Sequence, residues 1–246
     1  MKIKRFRLQK GKKPYLKKIC DLGRYDVWMV DSEFVRKNIC EDFVNIGHHY
    51  NFKFIPKNEF WICKETTPGE ERYYIEFLLI ENRLRKKGAS KTEAFKIASK
   101  AEKKERKRSS IMERLKRIIL IKDNEKLIKK VHKQLLKVYS NHLKIWVIRG
   151  ELVRDLFDID FAGGTHDKVD YFVPKNEVWL DDDISQKERK FILLHELHER
   201  FDMAQGMKYR HAHLRATKLE DYCRHHPEKL NDALRRELKK NHSLEK

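Results

Sequence analysis

The sequence predicts an α+β fold made of two tandem homologous domains, each with the element order β-α-β-β-α-α, joined by a helical connector. The first observation behind this prediction is an internal repeat. Residues 27–107 align without gaps to residues 145–225 at an offset of 118, with 22 identities in 81 pairs. The second is that short apolar runs and amphipathic segments recur in the same order in both copies. We therefore interpret the chain as an internal duplication of one α+β unit.

The longest identical segment lies near the middle of each copy. Pro56-Lys57-Asn58-Glu59-Phe60-Trp61 returns as Pro174-Lys175-Asn176-Glu177-Val178-Trp179. Proline and asparagine favour a tight turn. We therefore expect a hairpin in the first copy, between strands over 52–55 and 60–62, and the same hairpin in the second copy.

The other elements follow from apolar periodicity and capping residues. An apolar strand over 27–30 opens the first copy, and a helix is expected from about Ser32. Capping boxes, in which serine or threonine precedes glutamate by three positions, predict the starts of long helices. These boxes are Thr67–Glu70, Ser90–Glu93 and Ser185–Glu188. Gly88 suits the position just after the first of these helices.

The repeat divides the chain into five segments. They are a basic N-terminal arm (1–26), copy one (27–107), a basic helical connector (108–144), copy two (145–225) and a C-terminal helical tail (226–246). Dense charge in the arm is typical of a mobile segment. Apolar spacing in the connector predicts one or two amphipathic helices, including residues 127–138.

The formal net charge of +19 is unevenly distributed along the chain. The arm carries +8, copy one +4, the connector +8 and residues 145–246 carry −1. This balance favours a polyanionic partner, DNA or RNA, although abundant lysine and glutamate are also a hyperthermophile habit. The candidate nucleic-acid-binding residues are Lys2, Lys4, Arg5, Arg7, Lys12, Lys13, Lys17, Lys18, Arg114, Lys116, Arg117, Lys129, Lys130 and Lys133.

The four cysteines form no C-x-x-C pair, which argues against a zinc ribbon and a disulfide scaffold. The N-terminus has no apolar signal core, and no run of about 18 apolar residues occurs. We therefore expect a cytoplasmic protein without a membrane span.

Histidines distinguish copy two from copy one. His195 and Glu199 lie four positions apart, on one face of a predicted helix, and His213 falls on the next helix. Copy one has Phe77 and Phe95 where copy two has the two histidines. Three nitrogen and oxygen ligands with an open position would suit one zinc ion, and Glu196 would then be the base that activates water. His198 and His211 are alternate ligands, and ordinary hydrogen-bonded histidines are the competing interpretation.

Residues 178–197 of copy two carry a family resemblance. The strand Val178-Trp179-Leu180, the polar turn after it and the helix bearing Leu194-His195-Glu196-Leu197 resemble the small zincin metallopeptidases of the ImmA/IrrE type. The resemblance implies that His195 is a metal ligand and that Glu196 is a general base. The family's second motif histidine would fall at position 199, which is glutamate here. The stretch from Glu199 to His213 also resembles an uncharacterised pattern of phage and mobile-element proteins.

Several polar residues persist in both copies. Arg36 and Arg154, His48 and His166, and Glu81 and Glu199 each occupy matching positions, so we expect a buried polar cluster in each copy that serves the fold. The run Asp181-Asp182-Asp183 has two interpretations, a cation site or a solvated turn before a helix N-terminus.

Three functional hypotheses remain open. The first is a basic intracellular accessory protein of virus or plasmid type, from a thermophile, that binds nucleic acid and keeps a degenerate zincin-like site in copy two. The second is a zinc-dependent hydrolase, a peptidase, that is active only in copy two. The third is a structural or interaction protein whose charge reflects thermal adaptation.

Overall fold

The computed structural model of the protein describes residues 14–108 and 124–244. The chain divides into two compact units, residues 1–118 and 119–246. Each unit is a mixed α+β structure with one four-stranded sheet. The prediction of an α+β fold is therefore confirmed.

The first unit begins with two strands rather than one. Its elements are β1 (Tyr15–Leu22), β2 (Tyr25–Val30), α1 (Ser32–Asn38), β3 (Ile46–His48), β4 (Glu59–Cys63), α2 (Glu71–Lys86) and α3 (Lys91–Arg108). The strand order in the sheet is β1-β2-β4-β3. The central pair β2 and β4 is parallel, and each edge strand is antiparallel to its neighbour.

The second unit has the same sheet with one helix before it and one after the long helices. Its elements are α4 (Asn124–Val131), β5 (His132–Leu135), β6 (Lys144–Ile148), α5 (Gly150–Leu156), β7 (Gly164–His166), β8 (Glu177–Asp181), α6 (Gln186–Ala204), α7 (Tyr209–His225), a 3-10 turn (Pro227–Lys229) and α8 (Leu230–Ser243). The strand order is β5-β6-β8-β7, with β6 and β8 parallel.

The strand registers of the two sheets match at the sequence offset of 118. Trp28 lies opposite Trp61 in the first sheet, and Trp146 lies opposite Trp179 in the second. At the edge next to β4, His48 pairs with Phe60. The corresponding pair in the second sheet, between β7 and β8, is formed at the same offset. The sequence repeat therefore corresponds to a repeated sheet topology and register.

The identical Pro-Lys-Asn-Glu-x-Trp segments hold the start of a central strand in place. Glu59 accepts a hydrogen bond from the indole N–H of Trp61 (2.8 Å) and another from the hydroxyl of Tyr15 (2.7 Å). In the second unit the carboxylate of Glu177 accepts from the Trp179 indole (2.7 Å) and lies 2.9 Å from Nε2 of His132. In each unit the glutamate therefore connects two strands: Glu59 connects β4 to the first residue of β1, and Glu177 connects β8 to the first residue of β5.

The central strands are buried on both faces, as is typical of parallel strands. In the first unit Val27, Phe60 and Ile62 pack against α2 and α3, whereas Val30 and Trp61 pack against the side that carries α1. The second unit repeats this two-sided packing around β6 and β8. The long helices therefore lie on one face of each sheet, and this face positions the site described below.

The predicted hairpin over 52–55 and 60–62 is wrong. Residues 52–55 form consecutive turns, and the antiparallel neighbour of β4 is β3. The physical reason is that the backbone N–H groups bond locally: Phe52 donates to the carbonyl of His48 (2.9 Å) and Ile55 donates to the carbonyl of Phe52 (3.0 Å), as in turns rather than in a strand ladder. Residues 172–173 of the second unit also lie in turns rather than in a strand.

The expectations for the arm and the connector also need correction. Residues 15–22 and 25–26 belong to β1 and β2, so this part of the expected mobile arm is sheet. Within the connector, α4 ends at Val131 and residues 132–135 form β5, so the predicted helix does not continue to residue 138. Residues 1–13 and 109–123 lie outside the described residues. The tail was predicted as a helix, and α8 confirms this.

Two of the three predicted capping boxes receive their side-chain bond. The Ser90 hydroxyl accepts from the N–H of Glu93 (3.1 Å), and the Ser185 hydroxyl accepts from the N–H of Glu188 (3.4 Å). The box at Thr67 is wrong, because α2 begins only at Glu71. Its third residue, Gly69, has a φ of 98°, which breaks the helical path. Gly88 follows α2 with a φ of 94°, as predicted.

Among the residues that the structure describes, no helix is long and apolar enough to cross a bilayer.

Candidate metal centre

Helices α6 and α7 of the second unit bring three predicted ligands together. His195 and Glu199 lie one turn apart on α6, and His213 lies on α7, which packs against α6. One donor atom from each residue lies within 4.8 Å of the other two. His195 and Glu199 are buried, and His213 is partly exposed at the rim. The site is therefore open to solvent on the α7 side.

The three donor atoms form a triangle of the size that a tetrahedral ion requires. His195 Nε2 lies 3.1 Å from His213 Nδ1 and 3.6 Å from Glu199 Oε2, and the third side measures 2.8 Å. Zinc bonds of about 2.0–2.2 Å to nitrogen and oxygen give ligand separations of about 3.3 Å in a tetrahedron. The side chains thus match such an ion with small shifts.

A cation could replace the protons of this triangle. Without an ion, Nδ1–H of His213 donates to Glu199 Oε2 (2.8 Å), and Nε2 of His195 lies near both atoms. A cation between the three atoms would instead use a lone pair from each of them.

A buried carboxylate orients His195. The Nδ1–H group of His195 donates to Glu220 Oε2 (2.9 Å), which directs Nε2 towards Glu199 and His213. Glu220 is itself held by Arg224, whose Nε donates to Glu220 Oε1 (2.9 Å) and whose Nη1 donates to Glu188 (2.9 Å). A histidine whose second nitrogen donates to a carboxylate is the usual arrangement for a metal ligand.

A second histidine orients Glu199. The backbone N–H of Lys168 donates to Nδ1 of His166 (3.2 Å), so the ring proton lies on Nε2. Nε2 of His166 then donates to Glu199 Oε1 (3.2 Å) and leaves Oε2 for the triangle. Both ligands from α6 therefore have fixed orientations.

The electrostatics of the centre favour a positive charge at its middle. Burial alone would lower the pKa of His195, but hydrogen bonds to Glu199 and Glu220 raise it to about 10. Burial opposes the ionisation of Glu199, but hydrogen bonds from His166, His195 and His213 hold its pKa well below the usual range. The metal-free site therefore holds a proton where an ion would carry the charge.

Glu196 lies beside this triangle in a space that a glycine provides. A Cβ atom at Gly164 would lie 2.9 Å from Glu196 Cγ and 3.0 Å from Glu196 Oε1, so β7 approaches this side chain closely. Burial raises the pKa of Glu196 to about 8, and the nearby carboxylate of Glu199 adds to this rise. Donor atoms of Glu196, Glu199 and His166 also lie within 4.8 Å of one another.

The first unit keeps the supporting residues and lacks the ligands. Phe77 and Phe95 occupy the places of His195 and His213, and their rings pack edge to face at a centroid distance of 5.6 Å. Glu81 persists with its partner, and its Oε2 lies 3.0 Å from Nε2 of His48. Its other oxygen, Oε1, is buried and has no hydrogen-bond partner among the described residues.

The ion network behind the centre is also present in the first unit. Arg106 donates from Nε to Glu102 (2.9 Å) and from Nη1 to Glu70 (2.6 Å), as its counterpart Arg224 does in the second unit. Leu78 and Ile46 stand where the second unit has Glu196 and Gly164. The second unit therefore differs from the first at four positions that lie around the candidate metal centre, namely Gly164, His195, Glu196 and His213.

The alternate ligands lie outside the centre. Nδ1 of His198 lies 3.2 Å from Glu237 on α8, and its Nε2 lies 3.6 Å from Asp202. His211 is exposed on α7.

The expected polar cluster of each copy divides into two pairings. Arg36 donates to Glu65 (2.7 Å), whereas His48 pairs with Glu81. Arg154 of the second unit donates to two carboxylates at 2.8 Å, and these belong to Asp181 and Asp183. All three histidine and arginine side chains named here are buried, as predicted.

The aspartate run after β8 is a protein-bound acid cluster rather than a solvated turn. Asp181 is buried and burial raises its pKa to about 7, while Arg154 supplies the neutralising charge. Asp182 accepts from Lys133 (2.7 Å). Carboxylate oxygens of the three residues lie within 4.8 Å of one another, and each residue already forms an ion pair with Arg154 or Lys133.

The candidate nucleic-acid residues have mixed placements. Lys18 forms ion pairs with Asp21 and Asp26, and Lys133 pairs with Asp182, so these two charges are partly neutralised. All five described lysines of the set are exposed, namely Lys17, Lys18, Lys129, Lys130 and Lys133. The candidates outside the described residues are Lys2, Lys4, Arg5, Arg7, Lys12, Lys13, Arg114, Lys116 and Arg117.

The residues that support the candidate ligands were not predicted from the sequence. Glu220 and Arg224 are identical to Glu102 and Arg106 at the offset of 118, so the repeat hid their second role. The role of Gly164 could have been detected in the repeat. Glycine stands at position 164 where the first unit has Ile46, and the neighbouring Glu196 stands where the first unit has Leu78. No protein-family model, curated protein or solved structure matches this chain at a significant level.

Proposed function

We propose that the second unit binds a divalent transition-metal ion through His195, Glu199 and His213 and uses it for hydrolysis. The observation that carries the proposal is the triangle of donor atoms between α6 and α7, with Glu220 and His166 orienting two of its members. The phenylalanine pair at the same place in the first unit supports it. An ordinary buried histidine pair would not need the additional orienting contacts.

The donor set selects the class of metal. Two imidazole nitrogens and one carboxylate oxygen suit zinc, whereas magnesium and calcium prefer oxygen ligands throughout. Three protein ligands with an open fourth position are typical of catalytic rather than structural zinc sites. The exposed side of His213 provides that opening.

Glu196 is the base in the proposed reaction. A bound ion supplies Lewis acidity and lowers the pKa of a water molecule at the open position. Glu196 follows the ligand His195 directly, and its carboxyl group is held between α6 and β7. The pKa of about 8 in the metal-free protein keeps a proton on this group at neutral pH. A nearby cation would favour the carboxylate and make Glu196 a proton acceptor.

The reaction class rests on the resemblance to small zincin metallopeptidases. That resemblance supports amide hydrolysis by a helix bearing His195 and Glu196. Glu199 in place of the second motif histidine makes the ligand set more anionic, which reduces the Lewis acidity of the ion. We therefore propose a peptidase of low intrinsic rate or narrow substrate range, active only in the second unit.

Metal content is the first test of the proposal. Protein purified without an affinity tag is analysed by mass spectrometry as wild type, His195→Ala and His211→Ala. Stoichiometric zinc in the wild type and His211→Ala proteins, with loss in His195→Ala, is the expected result. His211 is a matched control, because it is an exposed histidine on the same helix as His213. Absence of zinc from the wild type after zinc is supplied would refute the metal site.

Hydrolysis is tested separately on metal-loaded protein. A fluorogenic peptide library is incubated with the wild type and with Glu196→Gln, which keeps the shape of the side chain. We expect cleavage by the wild type only, with equal zinc in both proteins. Equal cleavage by both proteins would remove Glu196 from the mechanism and leave the metal site intact.

We also infer that the two units arose by duplication of one ancestral α+β unit. Matching strand order and register at the offset of 118 support this inference, as do the buried ion networks around Arg106 and Arg224. Under this history the first unit shows what the fold needs, and the second unit shows what the metal site adds.

Nucleic-acid binding through the basic segments is a second proposal. It is favoured by the exposed Lys129 and Lys130 of α4, for which the structure gives no ion pair among the described residues. Because residues 15–22 are a sheet strand, the test removes residues 1–13 only and neutralises the two lysines. A fall in oligonucleotide affinity and in its salt dependence is expected. Unchanged affinity would reject this proposal.

A further inference from the structure

The first unit contains a cleft of about 480 Å³, and none of its lining residues belongs to the proposed metal site. It lies between the turn that joins β1 to β2, the turn after β3, the turn before β4 and one side of α2. Basic and amide side chains line it, and none of its described lining residues is acidic. A concave site with this composition favours an anionic ligand.

A chain of hydrogen bonds fixes the donors at the base of the cleft. Nη2 of Arg24 donates to the hydroxyl oxygen of Tyr25, and the Tyr25 hydroxyl donates to Oδ1 of Asn82 (2.9 Å). Oδ1 of Asn82 is thereby an acceptor, so its amide NH₂ group is the free end of the chain. Arg24 also stacks its guanidinium over the Tyr25 ring at 4.8 Å.

Asn82 presents a polar donor to the cleft from a side chain that is otherwise enclosed. Its residue exposure is 3%, and the structure gives its amide nitrogen no hydrogen-bond acceptor among the described residues. Because Asn82 lines the cleft, a ligand oxygen there could accept a hydrogen bond from this amide. Lys57 and Lys86 lie at the rim, and neither has a carboxylate within ion-pair distance in the described part of the chain.

The second unit closes the corresponding place with its own ion pair. Arg200 stands where the first unit has Asn82, and its Nε donates to Asp167 (2.6 Å). The same guanidinium donates to Asn176 (3.1 Å) and to Asn241 of α8 (3.0 Å). At the position of Asp167 the first unit has His49, so both the internal cation and its acid are missing there.

We propose that this cleft of the first unit binds a phosphoryl group, carried either by a free nucleotide or by a nucleic-acid strand. The phosphate oxygens would accept from the Asn82 amide and from Arg24, Lys57 and Lys86. The volume exceeds what inorganic phosphate fills and falls within the range of small-ligand pockets, about 300–1,000 Å³. The ring of Tyr50 lines the same cleft, and the cations of Lys53 and Arg85 lie over it at 5.6 and 5.8 Å from its centroid, which adds positive charge beside the cleft.

Calorimetric titration of the full chain tests the proposal with three probes: pyrophosphate, adenosine diphosphate and a short oligothymidylate. We expect binding of at least one probe that weakens about tenfold or more in Asn82→Asp, because a carboxylate replaces the donor. The double variant Lys57→Gln with Lys86→Gln should lose affinity as well. Saturable binding of oligothymidylate that adenosine diphosphate displaces would assign a nucleic-acid strand. Binding of adenosine diphosphate without binding of oligothymidylate would assign a free nucleotide.

The control is Lys100→Gln with Lys103→Gln, which removes the same charge from exposed positions of α3 outside the cleft. Equal losses in the control and the cleft variants would show diffuse attraction to the net charge and overturn the proposal. Failure of all three probes to bind the wild type at low salt would overturn it too. Because the cleft lies in the first unit, His195→Ala should leave every one of these affinities unchanged.

Discussion

Glu220 Oε2 lies 2.9 Å from Nδ1 of His195, and this contact fixes the orientation of the proposed metal ligand. Glu102 holds the same place in the first unit and binds Arg106 in the same way, but the position that matches His195 is Phe77. The carboxylate thus belongs to an ion network in both units, and in the second unit it also holds His195.

The first prediction concerns that carboxylate. Glu220→Gln should weaken zinc affinity by about 10- to 100-fold, the usual effect of losing a partner of a metal-bound histidine. Glu102→Gln is the matched control, because it disrupts the equivalent network in the unit without ligands. Competition with a chromophoric chelator measures both affinities. A metal affinity that falls equally in the two variants would indicate a general loss of stability.

The second prediction concerns pH. The pKa of His195 is raised to about 10, so a metal ion must displace a proton from this residue at any lower pH. Zinc affinity should therefore rise by about tenfold per pH unit between pH 6.5 and 8.5. Zinc competition at fixed ionic strength measures this slope. A slope of zero would show that His195 is not protonated in the metal-free site.

The raised pKa of His195 also makes the stability of the metal-free protein depend on pH. The folded pKa of His195 is above its unfolded value of about 6.5, so its stabilising contribution is complete below pH 6.5. It should be lost as pH rises towards 10 in metal-free protein. Urea unfolding of wild type and of His195→Phe with His213→Phe measures the difference. The variant should show the smaller loss over this range.

The third prediction concerns Gly164. A Cβ atom there would lie 2.9 Å from both Glu196 Cγ and Ile192 Cγ2, so Gly164→Ala should destabilise the protein by about 1–3 kcal/mol. Adding Glu196→Ala should recover part of this loss, since it removes one of the two clashing groups. A double-mutant cycle from denaturant unfolding gives the coupling. Strictly additive effects would show that β7 moves away instead.

The fourth prediction transfers the ligands to the first unit. Phe77→His with Phe95→His should create a second zinc site, because Glu81, its histidine partner and Glu102 are already in place. Zinc per chain, measured by mass spectrometry, should double relative to the wild type. The same pair in a Glu81→Gln background should not gain the second ion. No gain in the first background would mean that the supporting residues are insufficient.

Much of this arrangement was predictable because the chain provides its own comparison. The offset of 118 identified His195 and His213 as departures from an apolar pattern, and the spacing of four residues placed Glu199 beside His195 on one helix face. The role of Glu220 was not predictable, since a residue that persists in both copies looks structural. The site geometry required the packing of α6 on α7, which no single-residue pattern contains.

The fold was less predictable at its edges. Apolar runs predicted the central strands, whereas β3 has the sequence Ile-Gly-His and gives no strand signal. Phe52 and Phe54 alternate in sequence like strand residues, but local backbone hydrogen bonds, from Phe52 to His48 and from Ile55 to Phe52, hold this segment in turns. The lysines in β1 were interpreted as part of a mobile arm. An edge strand also tolerates such charges on its solvent side, so charge density alone did not distinguish the two.

Strand β1 covers the edge of β2 in the sheet of the first unit. Strand β1 carries Lys17 and Lys18, and its register shifts twice along β2. Such irregular, charged edges discourage strand addition by another molecule. Removing β1 would expose the apolar strand Tyr25–Val30 as a regular edge, and aggregation would follow. Strand β1 looks like a dispensable charged tail in the sequence, but it protects the edge of the first unit's sheet from pairing with another molecule.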